Sequence, residues 1–254
     1  ADPLHLLGID DPDSGQLPDE ERARRERMRE SAAGVTAFAT DQAATVAAFA
    51  LAGRLFVAGL VSGQARELRV HGPVFDPRPD PPAKRVAYVS GRTLRIAELD
   101  GSSWELAGDT DADISWGSAD FIAAEEMGRF RGYGWSPDGD TLAVCRVDAA
   151  PVGEWVIADP AHPDRAATTV RYPAAGTPNA DVTLHLVGLD GSRTAVDWDR
   201  DFFPYLASVT WTAAGLVMLV QSRDQQGSMV LRVDVGDGST RGATTVLAHD
   251  YDDA

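Results

Sequence analysis

Two pairs of neighbouring glutamates, Glu125-Glu126 and Glu20-Glu21, carry the residue type best suited to hold a cation. An ammonium group has three N–H donors, and two carboxylates together can accept them in charge-assisted hydrogen bonds. A buried pair without a cation would be costly, and one carboxylate would then take up a proton. A bare Glu-Glu pair, however, is usually solvated surface. The residues that flank each pair therefore decide what it does.

The remaining reactive residue types favour neither a metal nor a nucleophile. Cys145 is the only cysteine, which excludes an intrachain disulfide and a cysteine-based zinc site. Cys145 ends an apolar run, so the sequence predicts a core thiol. Asp109, Asp111 and Asp113 resemble the start of a calcium loop, but apolar residues stand where later oxygen ligands are needed. We expect no metal and no cofactor.

The charge composition of the chain excludes some classes of binding partner. The chain has 254 residues, with 39 acidic and 23 basic side chains and a formal net charge of −16. This balance argues against nucleic acid or an anionic membrane as the main partner, because both need a basic face. No apolar run approaches the ~20 residues that span a bilayer. The chain starts without Met or a secretory signal, and we expect a cytoplasmic location.

The chain changes character near residue 34. Residues 19–31 are dense in charge and poor in apolar side chains, which predicts an exposed helix within an N-terminal helical extension over residues 1–33. After it, four similar alternating runs each end in a turn-forming stretch, at residues 55–60, 94–99, 184–189 and 231–235. An aromatic residue precedes each run and predicts the start of a strand unit: Phe38, Phe75, Trp135 and Trp211.

These repeats predict an all-β fold, a multi-bladed β-propeller over residues 34–254. Sheets of about four strands that recur every ~40 residues or more are typical of propeller blades. About four to five blades fit in the chain. Because a propeller must close on itself to hide its edge strands, we expect these blades to be part of a larger ring. The wide spacing after Trp135 predicts a long insertion in the third repeat.

Two stretches are more specific than a generic propeller. One runs from Trp116 as WGSADFIAAEEM into GYGWSPDG, and the other is RYPAAGTPNADV over residues 171–182. Together they resemble the N-terminal propeller of the dipeptidyl peptidase IV group, in the prolyl oligopeptidase family of serine peptidases. The resemblance implies that Glu125 and Glu126 lie on a short helical excursion into the active-site cavity, where they bind the free α-amine of a peptide substrate.

Helix geometry sets a condition on that role. Adjacent helical side chains diverge by about 100°, so their convergence on one amine needs a helix end or an irregular turn. Gly128 could permit one. An acetylated or internal peptide has no ammonium group to offer, so the resemblance implies an exopeptidase. Arg129 and Arg131 could neutralise the pair, hold a substrate carbonyl, or pair with other nearby acids.

The catalytic machinery implied by the resemblance is not in the chain. No Gly-x-Ser-x-Gly elbow, no Ser/Asp/His triad pattern and no alternating βα pattern occurs. The α/β-hydrolase domain is therefore absent from this chain, which should be inactive alone. The implied partners are peptides with a free N-terminus and the C-terminal α/β-hydrolase domain of the same full-length protein. An unpaired blade edge also predicts association into a homo-oligomer. The alternative is a non-enzymatic TolB-like propeller that acts as a protein-binding scaffold.

Overall fold

The computed structural model describes residue 22 and residues 34–158, 160–161 and 166–252. This part of the chain is nearly all β, which confirms the predicted class. Apart from Arg22, the predicted N-terminal helical extension lies outside the described residues. No helix among the described residues has the length and apolarity to cross a bilayer.

Two antiparallel sheets with four strands each, in up-and-down order, open the fold. Sheet I contains β1 (Ala39–Thr40), β2 (Val46–Leu51), β3 (Arg54–Gly59) and β4 (Gln64–Leu68). Sheet II contains β5 (Phe75–Pro79), β6 (Arg85–Ser90), β7 (Thr93–Glu98) and β8 (Ser103–Ala107). Turn chemistry sets where the strands end. In the turn between the first and second strands, the Asp41 carboxylate accepts three backbone N–H groups and the Asp80 carboxylate accepts two.

Sheet III carries two additions. In chain order the chain forms β9 (Ile114–Trp116), helix α1 (Phe121–Glu126), β10 (Tyr133–Trp135), β11 (Thr141–Asp148), β12 (Glu154–Ile157), β13 (Thr168–Arg171), β14 (Asp181–Gly188) and β15 (Arg193–Ala195). Strands β10, β11, β14 and β15 form the four-stranded meander, and β9 pairs with β11. Strands β12 and β13 form a separate hairpin. This hairpin is the predicted long insertion.

Sheet IV contains β16 (Tyr205–Thr212), β17 (Gly215–Gln221), β18 (Gly227–Val233) and β19 (Thr244–Tyr251). The four similar runs of the sequence fall on the third strand of each meander, β3, β7, β14 and β18. Such successive antiparallel sheets are consistent with a β-propeller region. Two assignments were wrong in detail. Trp135 is the last residue of the first strand of sheet III, which begins at Tyr133. Trp211 lies near the end of the first strand of sheet IV, which already begins at Tyr205.

Apolar layers between successive sheets form the core. Sheets I and II enclose one layer, sheets II and III a second, and sheets III and IV a third. Strand β11 is buried on both faces, since Leu142 and Val144 pack toward sheet II while Ala143 and Cys145 pack toward sheet IV. Cys145 is thus a core thiol, as predicted, and burial raises its pKa.

Two tryptophans join sheets III and IV to the sheets before them. The Trp135 indole N–H donates to the Arg78 carbonyl oxygen on β5 at 3.2 Å. The Trp211 indole N–H donates in the same way to the Gly134 carbonyl oxygen on β10 at 3.1 Å. Each bond gives the edge of a first strand a partner from the next sheet. Trp135 and Trp211 therefore join neighbouring sheets.

His185 on β14 is held in its neutral form. Its ring centroid lies 4.9 Å from that of Trp116, and its Nε2 lies 3.0 Å from Thr183 Oγ1. Burial, reinforced by nearby arginines, lowers its pKa to about 4. Between pH ~6.5 and ~4 the unfolded chain binds a proton here that the folded chain does not. The contribution of His185 to stability is therefore complete above about pH 6.5 and is lost as the pH falls toward 4.

We predict that His185→Gln makes the free energy of unfolding less sensitive to a fall in pH. The free energy of unfolding of the variant should fall less than that of the unsubstituted protein between about pH 7 and about pH 4.5, by roughly 1–2 kcal/mol given the partly exposed ring. Urea titrations at the two pH values measure this difference. His249→Gln, at an exposed ring on β19, is the control. An equal loss in His185→Gln and the unsubstituted protein would contradict the assignment.

Candidate functional site

A helical excursion leaves and rejoins sheet III at one point. Strand β10 pairs with residues 142–144 of β11, and β9 pairs with residues 146–148 on the same edge. Between them, the Cys145 N–H donates to the Gly132 carbonyl oxygen at 2.7 Å, and the Cys145 carbonyl oxygen accepts from the Gly117 N–H at 2.9 Å. Residues 118–131 therefore form an excursion that carries α1, of the kind that the resemblance implies.

The base of the excursion has room only for glycine. A Cβ on Gly132 would lie 2.3 Å from the Ser118 carbonyl carbon and 2.4 Å from that of Gly117. Both neighbours are backbone atoms and cannot move aside. Gly117 also has a φ of +84°, a conformation that side-chain-bearing residues rarely adopt. The departing and returning segments can meet this closely because Gly132 has no side chain and Gly117 adopts the turn that a positive φ allows.

Helix α1 is capped at both ends. The Asp120 carboxylate accepts from the Ala123 N–H at 3.1 Å, which is an N-cap bond. Ala123 and Ala124 form its buried face. The helix ends at Glu126, because Gly128 adopts a φ of +66° and the Ala123 carbonyl oxygen then accepts from the Arg129 N–H at 2.9 Å. The chain thus has the helix end that two adjacent side chains need if they are to converge.

The buried guanidinium of Arg129 fastens this helix to two sheets. It pairs with the Asp120 carboxylate at 2.8 Å. It also donates to the Leu206 carbonyl oxygen on β16 at 2.9 Å, to the Arg131 carbonyl oxygen at 3.1 Å and to Cys145 Sγ at 3.4 Å. Of the alternatives open from the sequence, Arg129 is therefore the partner of a nearby acid.

Glu125 and Glu126 are the last two residues of α1, and both are exposed. The structure brings the pair together at one helix end but does not bury it. The costly buried pair considered from the sequence does not form in this chain, because only the two preceding alanines face the protein.

Two cavities adjoin the returning strand. One, of about 500 Å³, begins at Met127 and Gly128, directly after the acidic pair, and follows β10 and β16. The other, of about 510 Å³, is lined by residues from the first strands of sheets I, II and III and their neighbouring turns. Three residues line both cavities: Arg78, Trp135 and Arg131.

The two specific sequence stretches meet at α1. The Tyr172 ring, directly after β13, lies edge-on to the Phe121 ring of α1, with centroids 5.3 Å apart. Tyr172 also contacts the exposed Trp155 of β12 at 5.4 Å. At the other end of the stretch, Asn179 Nδ2 donates to the Tyr205 hydroxyl at 3.1 Å. The hairpin insertion therefore supports the helix that carries the acidic pair.

The acidic residues that resemble a calcium loop have structural partners. The Asp109 carboxylate accepts from the Asp111 N–H, and the Asp111 carboxylate accepts from the Asp113 N–H. Asp113 pairs with Arg171 of β13 at 2.7 Å. Within the described ranges, no group of three or more His, Cys, Asp or Glu side chains could hold a metal ion.

Sequence reasoning missed Asp120 and Arg78. Asp120 had a usable signal, since an Asp directly before a short apolar run is a helix N-cap signal. Arg78 had none. A register shift between Phe75 and Arg78 changes the direction of its side chain, and a bulge of this kind cannot be read from alternation.

Comparisons with known proteins agree with this geometry. The family model described as the dipeptidyl peptidase IV (DPP IV) N-terminal region matches residues 45–253. Dipeptidyl aminopeptidase B of Saccharomyces cerevisiae is 27% identical over 150 residues, covering 56% of this chain and 17% of that protein. A probable dipeptidyl-aminopeptidase B of Phaeosphaeria nodorum is 25% identical over 196 residues, covering 70% and 21%. The chain thus spans about a fifth of the length of these relatives.

Solved structures share the fold. The crystal structure of Porphyromonas gingivalis dipeptidyl peptidase 4 superimposes with a TM-score of 0.71 at 20% identity, covering 90% of this chain and 34% of that one. A putative dipeptidyl aminopeptidase IV from Bacteroides ovatus gives a TM-score of 0.66 at 20% identity, with 82% and 29% coverage. At this identity the match supports the fold alone.

We predict that Gly132→Ala severely destabilises the protein. The new Cβ would clash with backbone at both ends of the excursion, and we expect a loss of about 3 kcal/mol or more in the free energy of unfolding. Gly153→Ala is the matched control, because nothing lies within 4 Å of its Cβ position. Urea titration compares the two. A Gly132→Ala variant as stable as Gly153→Ala would show that the close approach is not required.

We also predict that Asp120→Ala costs about 3–5 kcal/mol, because it leaves the buried Arg129 guanidinium without its counter-charge. It also removes the N-cap of α1. The double variant Asp120→Ala/Arg129→Met should recover part of this loss, since no unpaired charge stays buried. Urea titration measures both variants. The single variant Arg129→Met is measured in the same way to complete the cycle. A double variant whose loss equals the sum of the two single losses would mean that the two side chains do not act as a pair.

Proposed function

Because the chain belongs to the family of dipeptidyl peptidase IV N-terminal regions, we propose that it is the substrate-recognising and gating propeller of a serine exopeptidase. In this proposal Glu125 and Glu126 bind the free N-terminal amine of a peptide. A C-terminal α/β-hydrolase domain of the same full-length protein supplies the Ser, Asp and His that cleave the peptide. The related proteins are dipeptidyl peptidases by their names, and the chain matches part of each.

The observation that carries the proposal is the position of two carboxylates at the end of a helix. The C-terminal end of a helix carries a partial negative charge, so acidic side chains there are locally unfavourable. The last turn of α1 itself contains no basic residue. An ammonium group bound at this end would be stabilised by both carboxylates and by the helix end. A residue choice that costs stability without a ligand is typical of a binding site.

The attachment of α1 suits this role. A two-residue ruler works only if the amine is held at a constant distance from the nucleophile. Asp120, Arg129 and the glycines at the base hold the excursion against sheets III and IV. A plain binding scaffold has no need of such a capped and clamped helix. The excursion therefore favours the exopeptidase over the TolB-like alternative.

The four meanders are proposed as four blades of a larger ring. First strands of neighbouring sheets contact each other, β1 with β5 and β10 with β16, as inner strands of a propeller do. The outer face of sheet IV carries half-buried apolar residues, among them the cross-strand pair Leu219 and Val230. A further blade, or a second chain in a homo-oligomer, would cover that face. A cytoplasmic location is proposed from the sequence alone.

We predict that Glu125→Gln and Glu126→Gln each lower kcat/KM of the full-length protein by roughly 10- to 100-fold for peptides with a free N-terminus. Each substitution preserves shape and removes one charge that the ammonium needs. N-acetylated peptides should be poor substrates for all forms. The measurement is the initial rate of dipeptide release.

Glu105→Gln, at an exposed acid of sheet II, is the control and should leave the rate unchanged. If both helix variants cleave free-amine peptides as fast as the unsubstituted protein, the amine-binding role is wrong. If the full-length protein releases no dipeptide from any substrate, the scaffold becomes the better account.

A further inference from the structure

Next to the acidic helix lies a small cluster with a surplus of positive charge. Arg78 is mostly buried and pairs with Asp76 at 3.0 Å, and its guanidinium lies 5.4 Å from the centre of the Tyr133 ring. Burial raises the pKa of Tyr133 well above its usual value, so the phenol is neutral. Arg131 adds a second cation near this pair. Two arginines and one aspartate leave one positive charge uncompensated.

Within the described part of the chain, Arg131 has no ion-pair partner of its own. Among the described residues, nothing forms a hydrogen bond or an ion pair with its guanidinium, although its carbonyl oxygen accepts from Arg129. Asp76 is already used by Arg78. Arg131 is solvent-exposed, and desolvation together with the charge of Arg78 lowers its pKa, so its surroundings weakly oppose the cation. An anion at this place would relieve that opposition.

The surroundings have space for a ligand. Arg78 and Arg131 line both cavities, which have volumes of about 500 Å³ and 510 Å³. Trp135 lines both as well, and Trp211 lines the first. Aromatic walls with one or two converging charged groups are typical of sites for small organic ligands. Guanidinium groups match carboxylates best, through two parallel N–H···O bonds.

The cluster lies within reach of a peptide that starts at the acidic pair. Arg131 lies five positions after Glu126 in the sequence, so their Cα atoms are at most about 18 Å apart. A peptide of about five extended residues covers the same distance. The first cavity begins at Met127, directly after the pair, and includes Arg131. The other end of a short peptide can therefore reach this arginine.

We propose that Arg131, with Arg78 beside it, binds the C-terminal carboxylate of short peptides and so favours oligopeptides over long chains. This inference rests on the proposed function for its substrate class, but it concerns the opposite end of the peptide. It predicts a preference that the acidic pair does not explain. On a chain with a net charge of −16, tighter binding of the more anionic ligand needs a local cationic site.

Four versions of one pentapeptide test the inference on the full-length protein. They combine a free or acetylated N-terminus with a free acid or an amide at the C-terminus. Calorimetry gives the affinity of the acetylated pair, and initial rates give KM for the free-amine pair. We expect the acid to bind roughly tenfold tighter than the amide in both pairs. A fifth peptide, amidated but with an aspartate side chain at its last position, separates a terminal from a side-chain carboxylate.

Arg131→Gln should abolish the difference between acid and amide, whereas Arg92→Gln, an exposed arginine that lines neither cavity, should keep it. The Glu125→Gln and Glu126→Gln variants should also keep it, which separates this site from the amine site. Equal affinities of acid and amide in the unsubstituted protein would overturn the inference. So would a preference that persists in Arg131→Gln. Tight binding of the aspartate amide would overturn the terminal-carboxylate assignment.

Discussion

The position of the acidic helix depends on one buried cation. A guanidinium removed from water must find acceptors for its N–H groups, or the fold loses several kcal/mol. Arg129 finds them in the cap of α1, in its own returning strand, in β11 and in the first strand of sheet IV. These acceptors come from parts of the chain that are far apart in sequence. The helix therefore keeps its place only while sheets III and IV are packed together.

A second constraint is steric and acts at the base of the excursion. Strand β11 has one edge to offer, and both β9 and β10 pair with it. β9 and β10 can share that edge only if the chain leaves it and returns to it at nearly the same point. The positive φ of Gly117 and the missing side chain of Gly132 make this possible. The glycine-rich appearance of the motif is therefore a packing requirement. The acidic residues themselves are not constrained in this way, since both are exposed.

The repeated architecture was predictable because it depends on local patterns. Alternation and turn residues predicted the third strand of every sheet, and the wide spacing after Trp135 predicted the hairpin insertion. The burial of Cys145 followed from its apolar neighbours. The role of Arg129 could not be predicted, because its partners Asp120 and Leu206 are neighbours only in three dimensions. Trp211 was placed at the start of a strand for a similar reason. Its function is a bond to the preceding sheet, which alternation within its own strand does not reveal.

The closed base of the excursion has a consequence for how such a site can change over time. The two residues that flank the excursion, Gly117 and Gly132, both bond to the backbone of Cys145. Closing this loop therefore costs the same conformational entropy whichever residues a loop of this length contains. Loop-closure entropy rises only slowly with length, so insertions between the two glycines cost little as long as the glycines remain. The strand pairing beneath would be unaffected. The length and residues of the excursion can therefore change while the strands that support it stay the same. Related chains can in this way differ in the ligand that they bind there.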